Sequence, residues 1–251
     1  VVDAAGNSAT CAFTVTINDT ELPIITCPAS LSVSASLGVC AAPVSFTTPV
    51  GTDNCSGQLT VQNAGLVSGA MFPVGTTTNA YTVTDASGNT ATCAFTITVV
   101  DTQLPTITCP ASLSMSAGVG VCDAVVTFTA PVGSDNCPLA TTTQTAGLGS
   151  GATFPIGTTT NSYTVTDASG NSATCAFTVT VNDTELPTIS CPANIGVASD
   201  LGQCSAVVSY ATPVGTDNCP AAATLQTGGL LSGSAFPVGS TTNIFVVTDA
   251  S

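Results

Sequence analysis

The sequence contains no lysine, arginine or histidine among its 251 residues, against 12 aspartates and 2 glutamates. Mechanisms that need a histidine base or a lysine Schiff base are therefore excluded. Carboxylates alone can still support metal-assisted hydrolysis, but no pocket signature in the sequence indicates it. A net charge of −14 without any cation repels nucleic acid and anionic lipid. We expect a protein that is not an enzyme and does not bind nucleic acid.

Long apolar segments and charged residues are both scarce. The apolar runs are far shorter than the ~20 residues of a membrane helix, so no direct membrane insertion is expected. Only 6% of the residues are charged, so the polar surface must come from Thr, Ser, Asn and Gly, which suit strands and turns. The chain begins with Val and has no visible signal peptide, which favours an excerpt of a longer protein.

The chain repeats itself at a constant interval. The tetrapeptide Thr-Cys-Ala-Phe occurs at 10–13, 92–95 and 174–177, which defines an 82-residue repeat. A fixed period of this size indicates a tandem array of small domains. We predict complete modules at 19–100 and 101–182, flanked by 1–18 as the last strand of a preceding module and by 183–251 as a module lacking its last strand.

Period-2 alternation predicts strands in each module. In 93–99, Cys93, Phe95, Ile97 and Val99 share one face. Further strands are predicted at 24–35, 42–48, 58–64 and 77–84, with a hairpin turn at 85–89. The repeated Phe-Pro-Val-Gly at 72–75 is interpreted as a core phenylalanine followed by a turn. These patterns predict an all-β chain of two-sheet sandwiches.

The 12 cysteines recur as four per repeat. An even, periodic count predicts disulfides formed in an oxidising compartment. A structural zinc site would show closely spaced cysteine pairs, whereas the four cysteines of one repeat, Cys27, Cys40, Cys55 and Cys93, lie far apart in the sequence. Disulfide pairing cannot be deduced from the spacing alone.

Four motifs carry a resemblance to a known family. They are LPIITCPASLSVSA at 22–35, GTDNC at 51–55, FPVGTTT at 72–78 and YTVTDASGNTATCAFTITV at 81–99. The chain resembles, over essentially its whole length, the HYR (hyalin repeat) domain, which implies immunoglobulin-like sandwiches in an extracellular, cell-surface protein. Its four-cysteine form is similar to bacterial versions common in giant repetitive surface adhesins, including those used in gliding motility.

The resemblance also implies disulfides. Family members with two cysteines keep the equivalents of Cys27 and Cys93, which implies a bond between the first and last strands; Cys40 would then pair with Cys55. A full strand at 42–48 would carry the chain away from Cys40, and Cys27–Cys55 is the alternative. The implied set is Cys27–Cys93, Cys40–Cys55, Cys109–Cys175, Cys122–Cys137 and Cys204–Cys219, with Cys11 and Cys191 pairing outside their own fragments.

Most of the aspartates recur at three places in each repeat: the module boundary, the loop before the third cysteine, and the last hairpin. In a sandwich these places should meet at the junction with the preceding module. Carboxylates gathered there could bind Ca²⁺, which takes 6–8 oxygen ligands; alternatively, each Asp caps its own turn. The candidate ligands are Asp19, Glu21, Asp53, Asp85, Asp101, Asp135, Asp167, Asp183, Glu185, Asp217 and Asp249.

These features together predict a structural stalk of a secreted adhesin, with neighbouring repeats as partners and a surface or glycan ligand that the sequence does not identify. Short linkers containing Pro23 and Pro105 should limit bending between modules. The competing class is a subunit of a head-to-tail filament, in which residues 1–18 complete the last module of a neighbouring copy. A carbohydrate-binding module is a third class, disfavoured because the chain has no tryptophan.

Overall fold

The computed structural model describes residues 1–249; residues 250 and 251, the end of the predicted 183–251 module, lie outside the described residues. The described chain is all-β, with 16 strands and no helix. No helix long and apolar enough to cross a membrane is therefore present in residues 1–249. Two compact units are distinguished: one contains 1–105 with the loops 135–140 and 167–171, and the other contains the rest of the described residues.

The first module forms two sheets. The larger sheet has the strand order β1-β6-β5-β3, with β1 parallel to β6 and the other pairs antiparallel, and the smaller sheet pairs β2 with β4. The strands are β1 (Leu31–Ser34), β2 (Ala41–Pro43), β3 (Leu59–Ala64), β4 (Met71–Pro73), β5 (Gly75–Thr84) and β6 (Thr90–Val100).

The second module repeats this architecture. Its larger sheet has the order β7-β12-β11-β9, and its smaller sheet pairs β8 with β10. The strands are β7 (Leu113–Ser116), β8 (Asp123–Val125), β9 (Thr141–Ala146), β10 (Thr153–Pro155), β11 (Gly157–Thr166) and β12 (Ser172–Asn182). The same sequence pattern thus gives the same sandwich in the next repeat.

The core of each module lies between its two sheets. The alternation predicted for the last strand is confirmed, because Phe95, Ile97 and Val99 are at most 4% exposed. They pack with Phe72 of β4 and Tyr81 of β5. Phe72 is fully buried, which agrees with its interpretation as a core residue.

Two of the strand predictions were too long. Residues 24–35 form only an isolated bridge, Ile24 to Thr52, before β1 begins. The predicted strand at 42–48 is reduced to β2. Val44 still exchanges backbone hydrogen bonds with Gly69 and Ala70. At Phe46 a side chain takes over, since the Ser68 hydroxyl accepts from Phe46 N at 2.8 Å and donates to Phe46 O at 2.6 Å.

Residues 183–249 form an incomplete version of the module. Its strands are β13 (Ser205–Val208), β14 (Ala223–Gly228), β15 (Ser234–Pro237) and β16 (Ile244–Thr248). A first strand is missing from the described residues here because β1 and β7 pair only with the last strand of their modules. No strand corresponding to β6 and β12 is present in residues 183–249, and Phe245 and Val247 are only partly buried.

Residues 1–18 expose apolar side chains that correspond to the last strand of a module. They form one bridge, Val2 to Ser8, and no strand among the described residues. Phe13, Val15 and Ile17 are 85%, 71% and 91% exposed, although they occupy the repeat positions of the buried core residues of β6. This segment therefore presents an apolar face that the complete modules bury.

Candidate functional site

The recurring chemistry of this chain lies at the module junctions. We call residues 38–40, 101–103 and 135–137 the first junction, and residues 120–122, 183–185 and 217–219 the second junction. Each junction lies within a single compact unit. A linker and one loop of a module meet there with the end of the module before it.

Two disulfides lie inside modules. Cys27 is bonded to Cys93, and Cys109 to Cys175, each with a Cα–Cα distance of 5.6 Å. Both are the bonds implied by the family resemblance. Each joins the segment before the first strand to the last strand of its module.

The other two disulfides cross the junctions. Cys40 is bonded to Cys137 and Cys122 to Cys219, in both cases 97 residues apart. The implied pairs Cys40–Cys55, Cys122–Cys137 and Cys204–Cys219 are therefore wrong.

Cys40 and Cys55 lie at opposite ends of their module, which explains why they do not pair. The bridge between Ile24 and Thr52 holds the loop before Cys55 at the end where the module begins. The bond from Ala35 N to Val100 O, at 2.8 Å, holds the segment before Cys40 at the end where the module finishes. Cys40 therefore meets the loop cysteine of the next module, not that of its own.

Four cysteines of the described chain are free and exposed: Cys11, Cys55, Cys191 and Cys204. A hydrogen bond to Asp19 and the charge of that carboxylate raise the pKa of the Cys55 thiol, with smaller contributions from burial, Asp53 and Asp85. The thiol form of Cys55 is thus favoured over the thiolate.

Hydrogen bonds reinforce the junctions. The Gly38 N–H donates to Gln103 Oε1 at 2.8 Å, and the Gly120 N–H donates to Glu185 Oε2 at 2.8 Å. Asn218 Nδ2 also donates to Val121 O at 2.9 Å in the second junction. Gln103 and Glu185 share one role, since either side chain offers an oxygen acceptor.

The candidate acids divide into two groups. Carboxylate oxygens lie within 4.8 Å of each other in three recurring pairs, each beside a cysteine sulfur. The pairs are Asp19–Asp53, Asp101–Asp135 and Asp183–Asp217, beside Cys55, Cys137 and Cys219 respectively. The boundary and loop acids thus meet, as the sequence predicted.

The hairpin acids instead serve their own turns. The carboxylate of Asp85 accepts from Ser87 N at 2.9 Å, Asn89 N at 2.8 Å and Asn89 Nδ2 at 2.7 Å. Burial raises the pKa of Asp85, but these hydrogen bonds outweigh it and hold the pKa below 3.8. Asp167 has the same partners in its turn.

The remaining candidates lie apart from the pairs. Glu21 Oε2 accepts from Asn54 Nδ2 at 2.9 Å, and Glu185 is the junction acceptor described above. Asp249 follows β16 and is half-buried. Asn89 Nδ2 also donates to Asp19 O at 3.2 Å, which fastens the hairpin turn to the module boundary.

No aromatic platform for a sugar is present in the described residues. Tyr81 and Tyr163 are 2% and 4% exposed, as their strand positions predicted. Phe13 is the one exposed aromatic side chain of residues 1–249, so the carbohydrate-binding hypothesis gains no support.

The junction disulfides were missed by sequence reasoning. The signal that could have found them is the strand predicted after Cys40, which carries the chain away from Cys55. The observed separation of 97 residues equals one full repeat plus the interval from Cys40 to Cys55. Pairing of Cys40 with the third cysteine of the next repeat has this separation.

Comparison with known protein families finds three tandem copies of one domain. The model of the HYR domain matches residues 18–99, 100–181 and 182–251. The chain belongs to the HYR domain family. Hyalin from Strongylocentrotus purpuratus is 40% identical over 258 residues, covering 99% of this chain and 21% of that protein.

Two further relatives differ in length and source. Hyalin from Lytechinus variegatus is 34% identical and covers 98% of this chain and 48% of its own length. The serine-rich adhesin for platelets of Staphylococcus aureus (strain N315) is 33% identical over 69% of this chain, which is 8% of that protein. This chain thus spans less than half of each of these relatives.

Solved structures give a weaker match. A protocadherin gammaB7 EC3-6 cis-dimer structure aligns with 87% of this chain and 69% of that chain at 14% identity, with a TM-score of 0.36. A likeness at this level supports no argument.

Proposed function

We propose that this chain is a load-bearing structural segment of an extracellular adhesion protein, built to keep its length and covalent continuity. The tandem HYR modules and the relative named as an adhesin support this role. Disulfides suit a secreted protein. Repetition of one module also suits contact with a surface at many points, because linked sites bind more tightly together than any one of them alone.

The observation that carries the proposal is the overlap of the four disulfide loops. The loops are 27–93, 40–137, 109–175 and 122–219. Each loop begins before the previous one ends, so every peptide bond between residues 27 and 219 is enclosed by at least one disulfide. A single break in the backbone within this range leaves the chain in one piece.

The disulfides inside the modules also limit extension under load. One covalent route crosses from Cys27 to Cys93, follows the backbone to Cys109, and crosses to Cys175. The segment between Cys93 and Cys109 spans at most about 55 Å when unfolded, whereas a whole unfolded repeat without disulfides spans about 280 Å. A stretched array therefore gains little length even when its modules unfold.

A unique protease site tests this covalent topology. Trypsin has no cleavage site in the chain, because lysine and arginine are absent. Thr102→Lys introduces one site in the exposed linker, where only the Cys40–Cys137 loop encloses the cleaved bond. After digestion we expect one full-size band without reductant and two fragments with it.

The matched control places the site elsewhere. Ser87→Lys introduces a cut in the exposed turn 85–89, which both Cys27–Cys93 and Cys40–Cys137 enclose. Adding Cys40→Ser and Cys137→Ser should release fragments from the Thr102→Lys protein without reductant but not from the Ser87→Lys protein. Release of fragments from the singly substituted Thr102→Lys protein without reductant would sink the proposal.

We extend the proposal to the location and the class of the whole protein. We place the segment in the stalk of a secreted, cell-surface protein, with neighbouring repeats as its direct partners. Assignment to a bacterial adhesin, including one used in gliding, rests on the four-cysteine form of the repeat. The surface or glycan contacted is a question for binding assays on the full-length protein.

A filament of separate subunits is the second candidate, and it rests on two apolar surfaces that a neighbouring copy would cover. Residues 1–18 offer the exposed Phe13, Val15 and Ile17, while residues 183–249 leave Phe245 and Val247 partly uncovered. Strand addition would cover both.

The free cysteines fit the same filament arrangement. If a second copy continued the repeat in register after this one, its Cys11 and the Cys191 of this copy would occupy the repeat positions of Cys175 and Cys109. The Cys55 of the second copy and the Cys204 of this copy would occupy the repeat positions of Cys219 and Cys122. Both kinds of observed disulfide would therefore form between the two copies.

A continuous longer array satisfies the same relationships, so the native mass decides between the candidates. Denaturing electrophoresis of the native polypeptide should give one species of many hundreds of kilodaltons with and without reductant if the array is continuous. A ladder that collapses with reductant to about 24 kDa, the mass of this chain, would establish the filament instead.

A further inference from the structure

The acid pairs of the junctions are not explained by the covalent topology. We propose that they are cation sites, and that the pair Asp101–Asp135 binds a hard divalent cation, Ca²⁺, at the first junction. The site is independent of the load-bearing role, since the disulfides close the junction with or without a cation.

The geometry of Asp101 carries the proposal. The residue is only 3% exposed, and a carboxylate oxygen of Asp135 lies within 4.8 Å of one of its own. Asp101 Oδ1 accepts from Gln103 N at 3.0 Å. Asp101 Oδ2 is buried and has no hydrogen-bond partner. A buried carboxylate oxygen without a donor is costly, so this atom needs a ligand that the protein does not supply.

The unpartnered oxygen recurs in the other repeats. Asp53 Oδ1 and Asp217 Oδ1 are likewise buried without a hydrogen-bond partner, whereas the Asp19 carboxylate has the Cys55 thiol as a neighbour. The second oxygen of each caps the local turn: Asp19 Oδ1 accepts from Glu21 N at 3.0 Å, and Asp53 and Asp217 accept from the cysteine N–H two residues on at 2.9 Å.

In Asp53, Asp101 and Asp217, one carboxylate oxygen therefore caps the local turn and the other has no hydrogen-bond partner. The alternative that each Asp serves only its turn explains Asp85, whose two oxygens both accept hydrogen bonds. It does not explain Asp101. The structure thus separates the hairpin acids from the paired acids, and only the paired acids are candidates for a cation.

Charge points to the same conclusion. Two carboxylates this close repel each other unless a proton or a cation lies between them. The chain has no lysine, arginine or histidine to supply that charge. An external metal ion is then the available partner at neutral pH.

The donor set selects the class of metal. The third group near the pair is the sulfur of Cys137, which is held in the disulfide with Cys40 and so offers no thiolate. Oxygen ligands alone suit Ca²⁺ or Mg²⁺, and a flexible shell of carboxylates, carbonyls and water suits Ca²⁺ better. Affinities of extracellular calcium modules are on the order of 10⁻⁴–10⁻³ M.

Calcium titration of the disulfide-intact chain tests the proposal. We expect isothermal titration with CaCl₂ to show saturable binding, and the melting temperature to rise from EDTA to millimolar CaCl₂, because a ligand of the folded state stabilises it. Asp101→Asn keeps the acceptor for Gln103 N but lowers the local charge, so it should remove one binding equivalent. In EDTA its melting temperature should equal or exceed that of the original chain, which excludes misfolding as the cause.

Asp123→Asn is the control, because it removes the same charge outside the pairs. It should keep every binding equivalent and the full calcium response. MgCl₂ at the same concentration should give a smaller rise in melting temperature. If CaCl₂ produces neither binding heat nor a change in melting temperature, or if Asp101→Asn responds like the original chain, the proposed site is wrong.

Discussion

The backbone N–H of Gly38 donates to the side-chain oxygen of Gln103 at 2.8 Å, across the first junction. In the second junction Glu185 accepts from Gly120 in the same way. The junction thus needs an acceptor at this position, not a charge.

Gln103→Glu should therefore preserve the first junction, and Gln103→Ala should weaken it. The lost bond is worth about 0.5–1.5 kcal/mol in net stability. Hydrogen exchange at the Gly38 amide measures it directly: protection should fall in Gln103→Ala and persist in Gln103→Glu. Equal protection in both variants would mean that the bond does not form in solution.

The close approach of Gly65 to Asn79 gives a second prediction. A Cβ at Gly65 would overlap Asn79 Oδ1, the buried acceptor for Leu66 N at 2.7 Å. Gly69 has a similar positive φ, 86° against 84°, but open space around it. Gly69→Ala should cost roughly 1–2 kcal/mol of strain, and Gly65→Ala roughly 1–3 kcal/mol more from overpacking. Denaturant unfolding of both variants gives the difference, and equal losses would contradict the contact.

Acid should weaken the turn held by Asp85. Because the folded-state pKa is held below 3.8, the carboxylate contributes stability that is complete above the unfolded pKa and is lost as pH falls through the folded pKa. Asp85→Ala should lower the melting temperature at pH 7, and the difference from the original chain should shrink below about pH 4. A difference that stays constant down to pH 2 would show that ionisation plays no part.

The raised pKa of Cys55 predicts low thiol reactivity. The thiolate is the nucleophile, and Asp19 favours the protonated thiol. In a chain with Cys11, Cys191 and Cys204 replaced by Ser, alkylation near neutral pH should be slow and should accelerate with rising pH. Asp19→Asn should speed alkylation, whereas Asp123→Asn should not; an unchanged rate in Asp19→Asn would contradict the assigned cause.

The sandwich was predictable from the sequence because local patterns determine it. The alternation from Cys93 to Val99 needs no knowledge of distant residues, and neither does the turn at Asp85. Strand limits were less accurate where a side chain such as Ser68 takes over the pairing of a strand, since no pattern near Phe46 reports it.

The candidate site was predictable only in part. The meeting of Asp101 with Asp135 follows from the fold class, because both lie at the end where a module begins. The partner of Cys40 does not follow from one module, since it belongs to the next repeat. Reasoning within a single repeat led to Cys55, and only the arrangement at the junction distinguishes it from Cys137.

Disulfide mapping of the unreduced chain tests the central claim most directly. Cleavage at the acidic residues separates Cys55 in peptide 54–85 from Cys137 in peptide 136–167. We predict that the peptide carrying Cys40 is linked to 136–167, and that the peptide carrying Cys122 is linked to the one carrying Cys219. A peptide pair joining Cys40 to Cys55 would contradict the junction disulfide and the load-bearing role built on it.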